Sequence, residues 1–202
     1  MAIVVIGGHS RNIGKTSVAC ALIAAMPERR WTAIKITQCK HDGTSCDCEL
    51  AGQLIAISEE RNAEAKTDSS RYLAAGAVRS IWVRTRREQL AQAMPMIRDV
   101  IAQAENVLLE SNSVLAFLQP EIYISVLDAR IADFKASALG FLDRADAIVL
   151  TSGPLEETEW SGGVSEQLKH ATKFQVAPPD YSSAALVAFV ADRLELPVRP
   201  KD

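Results

Sequence analysis

The most chemically pointed stretch of this 202-residue chain is Gly7-Gly8-His9-Ser10-Arg11-Asn12-Ile13-Gly14-Lys15-Thr16-Ser17. It lies between a continuous apolar run, Ala2 to Ile6, and an Ala/Leu/Ile-rich run with helical spacing, Gly14 to Met26. A glycine-containing turn between a strand and a helix start aims backbone N–H groups at an anion. Gly14 permits close backbone approach to phosphate, the Lys15 ammonium can reach β- and γ-oxygens, and the Thr16 hydroxyl can ligate Mg²⁺. Gly14-Lys15-Thr16 therefore reads as the end of a Walker A motif, and the chemistry is Mg²⁺-dependent binding of ATP or GTP. The usual spacing, GxxxxGK[ST], would place the first glycine at position 9, which is His9. The nearest glycine is Gly8, so the loop is one residue longer. The candidate nucleotide-binding residues are Gly8, His9, Asn12, Ile13, Gly14, Lys15, Thr16 and Ser17. For His9, as for Arg11, the plainer alternative is a solvent-facing loop side chain.

A second group of reactive side chains is Cys39, His41, Cys46 and Cys48. Three thiols and one imidazole equal a Cys₃His zinc set in number, although Cys-x-His…Cys-x-Cys is not a ribbon or knuckle spacing. Thiolates also suit copper, an iron–sulfur cluster or molybdenum. A redox pair, or free thiols in an inserted segment, are the other readings. Cys20, on the apolar side of the first helix, reads as core. Arg84, Arg86 and Arg87 form a small basic cluster that either solvates or meets an anionic substrate.

The elements that would position these groups alternate. Strands are predicted at 2–6, 32–37, 80–84, 106–110, 121–127, 147–151 and 173–176. Helices are predicted at 14–26, near 49–60, at 68–75, 87–104, 165–170 and 182–194, with Pro27 and Gly76 as stops. Alternation of this kind implies a mostly parallel central sheet flanked by helices. One domain over 1–202 is expected, with a cysteine-containing insertion at about 38–67. Net charge is −3, so a nucleic-acid binder held by a broad basic field is not expected. No apolar run has the roughly 18–20 residues of a membrane span. The opening MAIVVIGG reads as a first strand and not a signal peptide, which makes a cytoplasmic protein the expectation.

The longer loop GHSRNIGKT resembles that of dethiobiotin synthetase and its relatives among the P-loop NTPases. Further along, the chain is similar to MobB, the GTP-binding adaptor of molybdopterin-guanine-dinucleotide synthesis. Lys35-Ile36-Thr37, the Thr67-Asp68-Ser69-Ser70-Arg71 segment followed by Ala75-Gly76-Ala77, and Val107-Leu108-Leu109-Glu110 carry that likeness, over roughly the first 115 residues. The resemblance implies a three-layer α/β P-loop NTPase fold and a Mg²⁺ site of Thr16, Asp68 and Glu110. It also implies catalytic roles for Lys15, Lys35 and Glu110, and homodimerisation. In function it implies nucleotide hydrolysis or phosphoryl transfer that assists metal-cofactor synthesis, with a cofactor-synthesis protein as partner. A ligase of the dethiobiotin synthetase kind and a non-hydrolysing nucleotide switch are the alternatives. Asp68 and Glu110 could equally be a surface-helix aspartate and a solvated strand-end glutamate. Two departures stand out. Ser111-Asn112-Ser113 follows Glu110 where both families tend to have glycine, and no Asn/Thr-Lys-x-Asp guanine-reading segment follows Thr151.

Overall fold

The computed structural model describes residues 1–39, 54–86, 88–153 and 170–195, and within 154–169 residues 160, 164, 167 and 168. His41, Cys46, Cys48 and Arg87 lie outside the described residues, as do residues 165, 166 and 169 of the helix expected at 165–170.

Eight strands form one sheet: β1 (Ile3–Gly8), β2 (Trp31–Cys39), β3 (Ile55–Glu60), β4 (Arg79–Arg86), β5 (Asn106–Glu110), β6 (Ile122–Leu127), β7 (Ala147–Leu150) and β8 (Thr172–Gln175). Their order is β3-β4-β2-β5-β1-β6-β7-β8. Every neighbouring pair is parallel except β3 with β4. The helices that flank it include α1 (Lys15–Ala25), α2 (Asp68–Ala74), α3 (Leu90–Ala102), α4 (Ala136–Leu139) and α5 (Ala184–Glu195).

The strands alternate their side chains between two cores, as pleating requires. Val4 and Ile6 of β1 pack with Val18, Leu22 and Ile23 of α1 and with Leu186 and Val190 of α5. Val5 faces the other way, into a core with Ile34, Leu109 and the α3 residues Leu90, Met94 and Ile97. Central strands buried on both faces explain the continuous apolar runs seen in the sequence. The result is the expected three-layer α/β arrangement.

One element differs from its expectation. Residues 55–60 lie in the stretch read as a helix, yet they form the antiparallel edge strand β3, with Ile57 opposite Val83. Ile55 and Ile57 pack on the α3-side core, and Ala56 and Ser58 alternate to the other face. That two-residue period wins because β4 offers an open edge and an apolar groove to fill. Gln38 and Cys39 likewise continue β2 alongside Thr85 and Arg86 of β4.

Candidate functional site

β1, β2 and β5 end side by side at their carboxyl edge, where open α/β sheets bind ligands. β1 runs into the glycine loop, which hands over to α1 at Gly14. Gly14 has φ +95, and a Cβ there would lie 2.7 Å from the Tyr181 ring. Both facts demand glycine. Asn12 is also left-handed, at φ 57, a conformation asparagine tolerates better than most residues.

The loop is braced from several directions. Asn112, just past β5, accepts from the Gly8 N–H at 2.8 Å and donates back to the Gly8 carbonyl at 2.9 Å. Thr151, at the end of β7, donates to the Ile13 carbonyl at 3.0 Å. Neither residue was singled out as a site residue from sequence. The resemblance leads one to look for glycine directly after Glu110, where Ser111 stands; the reciprocal pair with Gly8 is made by Asn112, one residue further on.

His9 is a correction. The sequence reading left it between phosphate contact and a solvent-facing position, and it is neither. Its side chain is fully buried, with ring centroids 4.9 Å from Phe134 and 5.4 Å from Trp160. Its Nε2 lies 3.1 Å from the Ile131 carbonyl, and Nδ1 is buried with no hydrogen-bond partner of good geometry among the described residues. This pattern fits the Nε2–H tautomer donating to that carbonyl. Burial holds the imidazole below its ordinary range, which favours the neutral ring. A sequence pattern cannot reveal a partner segment more than a hundred positions away.

Lys15 opens α1, and its ammonium donates to the Ser10 carbonyl at 2.6 Å. Burial foremost, and then the ammonium groups of Lys135 and Lys35, pull Lys15 down to about 8 against the opposing field of Glu110. Thr16 follows, its hydroxyl donating to Glu110 Oε2 at 2.7 Å. Glu110 is buried at the end of β5 and also accepts from the phenol of the fully buried Tyr72. Burial, reinforced by Glu110, pushes that phenol well above its ordinary value, so Tyr72 stays a donor.

Lys35 reaches the same point from β2. Its ammonium is 3.3 Å from Thr16 Oγ1 and 3.2 Å from Glu110 Oε1, and it pairs with Asp68. Asp68 begins α2, which is capped by the Thr67 hydroxyl accepting from Ser70 N–H at 3.0 Å. Burial alone would raise the Asp68 carboxyl, but the Lys35 hydrogen bond and charge hold it below its usual range. Three hard oxygen donors, from Thr16, Asp68 and Glu110, thus converge on one cation. That is the donor chemistry Mg²⁺ requires, so the residues fit such a group, and the Lys35 ammonium is the positive charge they surround here.

These groups line a cleft of about 1200 Å³, larger than the roughly 300–1,000 Å³ of an ordinary small-molecule site. The phosphate loop and Tyr181 line part of it. Thr37 and Trp82 line another part, with the Trp82 indole N–H donating to Thr37 Oγ1 at 3.0 Å. The Arg84 guanidinium stacks over the Trp82 ring, 4.5 Å from its centroid.

The cysteine cluster can be placed only through Cys39, which is buried at the end of β2, lines the cleft and is disulfide-bonded. A disulfide sulfur carries no thiolate charge, so in this state Cys39 fits the redox reading and not that of a thiolate metal ligand. Among the described residues no group of three or more His, Cys, Asp or Glu could hold a metal ion. Cys20 is half-buried against the α1-side core, where burial pushes its thiol up to about 11.

No protein-family model and no curated protein matches the chain. Among solved structures, it is similar to HypB from Helicobacter pylori in complex with nickel, at 13% identity and a TM-score of 0.49, over 94% of this chain and 86% of that one. It is also similar to the "apo" form of LpxK from Aquifex aeolicus in complex with ATP, at 18% identity and a TM-score of 0.50. That match covers 87% of this chain and 53% of LpxK, so the chain spans about half of LpxK's length. The sheet, the loop and the LpxK likeness together define a P-loop NTPase fold. Among the described residues no helix is long and apolar enough to cross a membrane.

Proposed function

We propose that the protein binds a nucleoside triphosphate with Mg²⁺ and hydrolyses it or transfers its γ-phosphoryl group. The observation that carries this reading is the convergence of Lys15, Thr16, Asp68, Glu110 and Lys35 at the start of α1, beneath a loop built for phosphate. Thr16, Asp68 and Glu110 would hold the cation, which when bound neutralises charge on the phosphates. The loop N–H groups and the Lys15 ammonium bind and orient the phosphate chain. Tyr72 and Thr16 fix the Glu110 carboxylate by donating to it, so it needs no rearrangement to act. Lys35, held between Asp68 and Glu110, supplies a mobile positive charge that can follow phosphate or an acceptor.

The cleft extends past Lys35 to Thr37 and Trp82, and this space favours transfer to a second substrate over simple hydrolysis. A ligase of the dethiobiotin synthetase kind belongs to this second reading. A role in molybdopterin-type cofactor synthesis, with a synthesis protein as partner, and a homodimeric state rest on the sequence resemblance to MobB. They are proposals of the same standing. The similar LpxK structure is in complex with ATP, so ATP is the first nucleotide to assay, beside GTP. Binding and turnover of each, with and without Mg²⁺, test the proposal. Wild type should bind at least one nucleotide and Lys15→Ala should lose it. Equal binding by the two proteins would remove the phosphate-loop reading.

A further inference from the structure

The extra residue of the phosphate loop has a structural use. His9 is buried against Phe134 and Trp160 and reaches the Ile131 carbonyl. Two further ties join the loop to the same segment, which runs from the end of β6 to α4, and a third bond holds the aromatic cluster to it. The Lys135 N–H donates to the His9 carbonyl at 2.9 Å. The Ser10 hydroxyl donates to Asp133 Oδ2 at 3.3 Å. The Trp160 indole N–H donates to Ile131 at 2.9 Å, closing the aromatic cluster over His9. A solvent-facing connection has no need of so many ties to a ligand loop.

This clamp places Lys135 on the wall of the cleft, where it lines the same space as Lys15, Thr16 and Glu110. Among the described residues no carboxylate lies within salt-bridge distance of it. The charged groups that act on it are Arg11, Asp133 and Glu110, and Lys135 in turn acts on Lys15. Three ammonium groups, Lys15, Lys35 and Lys135, therefore line one cleft, and of these Lys35 is already paired with Asp68 and Glu110, which leaves Lys15 and Lys135 as the pair a ligand would meet. Such a pair repels itself in the free protein and is relieved by a polyanion set between the two charges.

We propose that Lys135 is a second phosphate-binding ammonium, which the His9-clamped segment delivers to the terminal phosphate of the bound nucleotide. It is a binding residue of the site proposed above and rests on that reading. Its backbone tie to His9, in the turn that leads to Lys15, and its place on the cleft that Lys15, Thr16 and Glu110 also line assign it to the γ-phosphate and not to the base or ribose.

The test is calorimetric titration of wild type, Lys15→Ala, Lys135→Ala and Lys135→Arg with ATP, ADP, GTP and GDP in the presence of Mg²⁺, with melting temperatures of each free protein. For the nucleotide that wild type binds, Lys135→Ala should weaken the triphosphate by about tenfold or more, the size of one charge-assisted contact. The diphosphate should weaken by less than about threefold, Lys135→Arg should recover most of the loss, and neither Lys135 variant should melt below wild type. Equal losses for tri- and diphosphate, or no loss for either, overturn the assignment while Lys15→Ala still upholds the nucleotide site. Wild type that binds none of the four removes the nucleotide reading, and this assignment with it.

Discussion

At the scale of one residue, Lys15 shows what the proposed phosphate site asks of the free protein. Its ammonium is mostly buried, near two other ammonium groups, and sits at about 8 instead of the usual value of 10.5. The folded pKa lies below the unfolded one, so between about pH 8 and 10.5 the unfolded chain binds more protons. Stability of the free protein therefore rises with pH across that window, and the charged lysine is a burden below it. Lys15→Met should raise the unfolding free energy at pH 7 by about 1–3 kcal/mol while abolishing nucleotide binding. Paired chemical denaturation and titration would show both effects. Nucleotide affinity of wild type should be flat below pH 8 and fall above it, by up to about tenfold per unit, because the phosphates need the protonated form. Affinity that is unchanged between pH 7 and 9.5 would count against Lys15 as the phosphate-binding charge.

At the scale of elements, the phosphate loop works because three strand ends hold it. Asn112 from beyond β5 clasps Gly8, and a Cβ on Gly7 would lie 2.0 Å from Asn112 Oδ1. Gly7→Ala should therefore push Asn112 off Gly8, lower stability by about 2 kcal/mol or more, and weaken nucleotide binding. A thermal melt beside a titration checks it. Much at this scale was legible in the sequence. The strand-loop-helix order around Gly14-Lys15-Thr16, the start of α2 at Asp68 and the end of β5 at Glu110 all follow from local spacing and capping. The long-range braces were not legible, because nothing near His9 announces Phe134 and nothing near Gly8 announces Asn112. β3 was misread for a related reason. A six-residue strand at a sheet edge takes its period from the neighbour it pairs with, and Val83 stands outside the window in which Ile57 is read.

At the scale of the whole molecule, the sheet grades from a doubly covered centre to two edges. β1, β5 and β6 are buried on both faces, whereas β8 leaves only Phe174 buried and β3 leaves no residue fully buried. Amide hydrogen exchange should follow that grading, slowest in β1, β5 and β6 and fastest in β3 and β8. The same rigid centre carries Gly8 and Glu110, so the site is mounted on the least deformable part of the fold. Lys35 and Asp68 reach it from β2 and α2, nearer one edge.

On the function proposed above, this fold is built around a triphosphate and its Mg²⁺. The direct measurement is titration of the purified protein with ATP and with GTP, with and without Mg²⁺, beside Lys15→Ala. Saturable, Mg²⁺-strengthened binding of at least one nucleotide that Lys15→Ala abolishes is the predicted result. No binding of either by wild type, or binding that Lys15→Ala leaves intact, would contradict it.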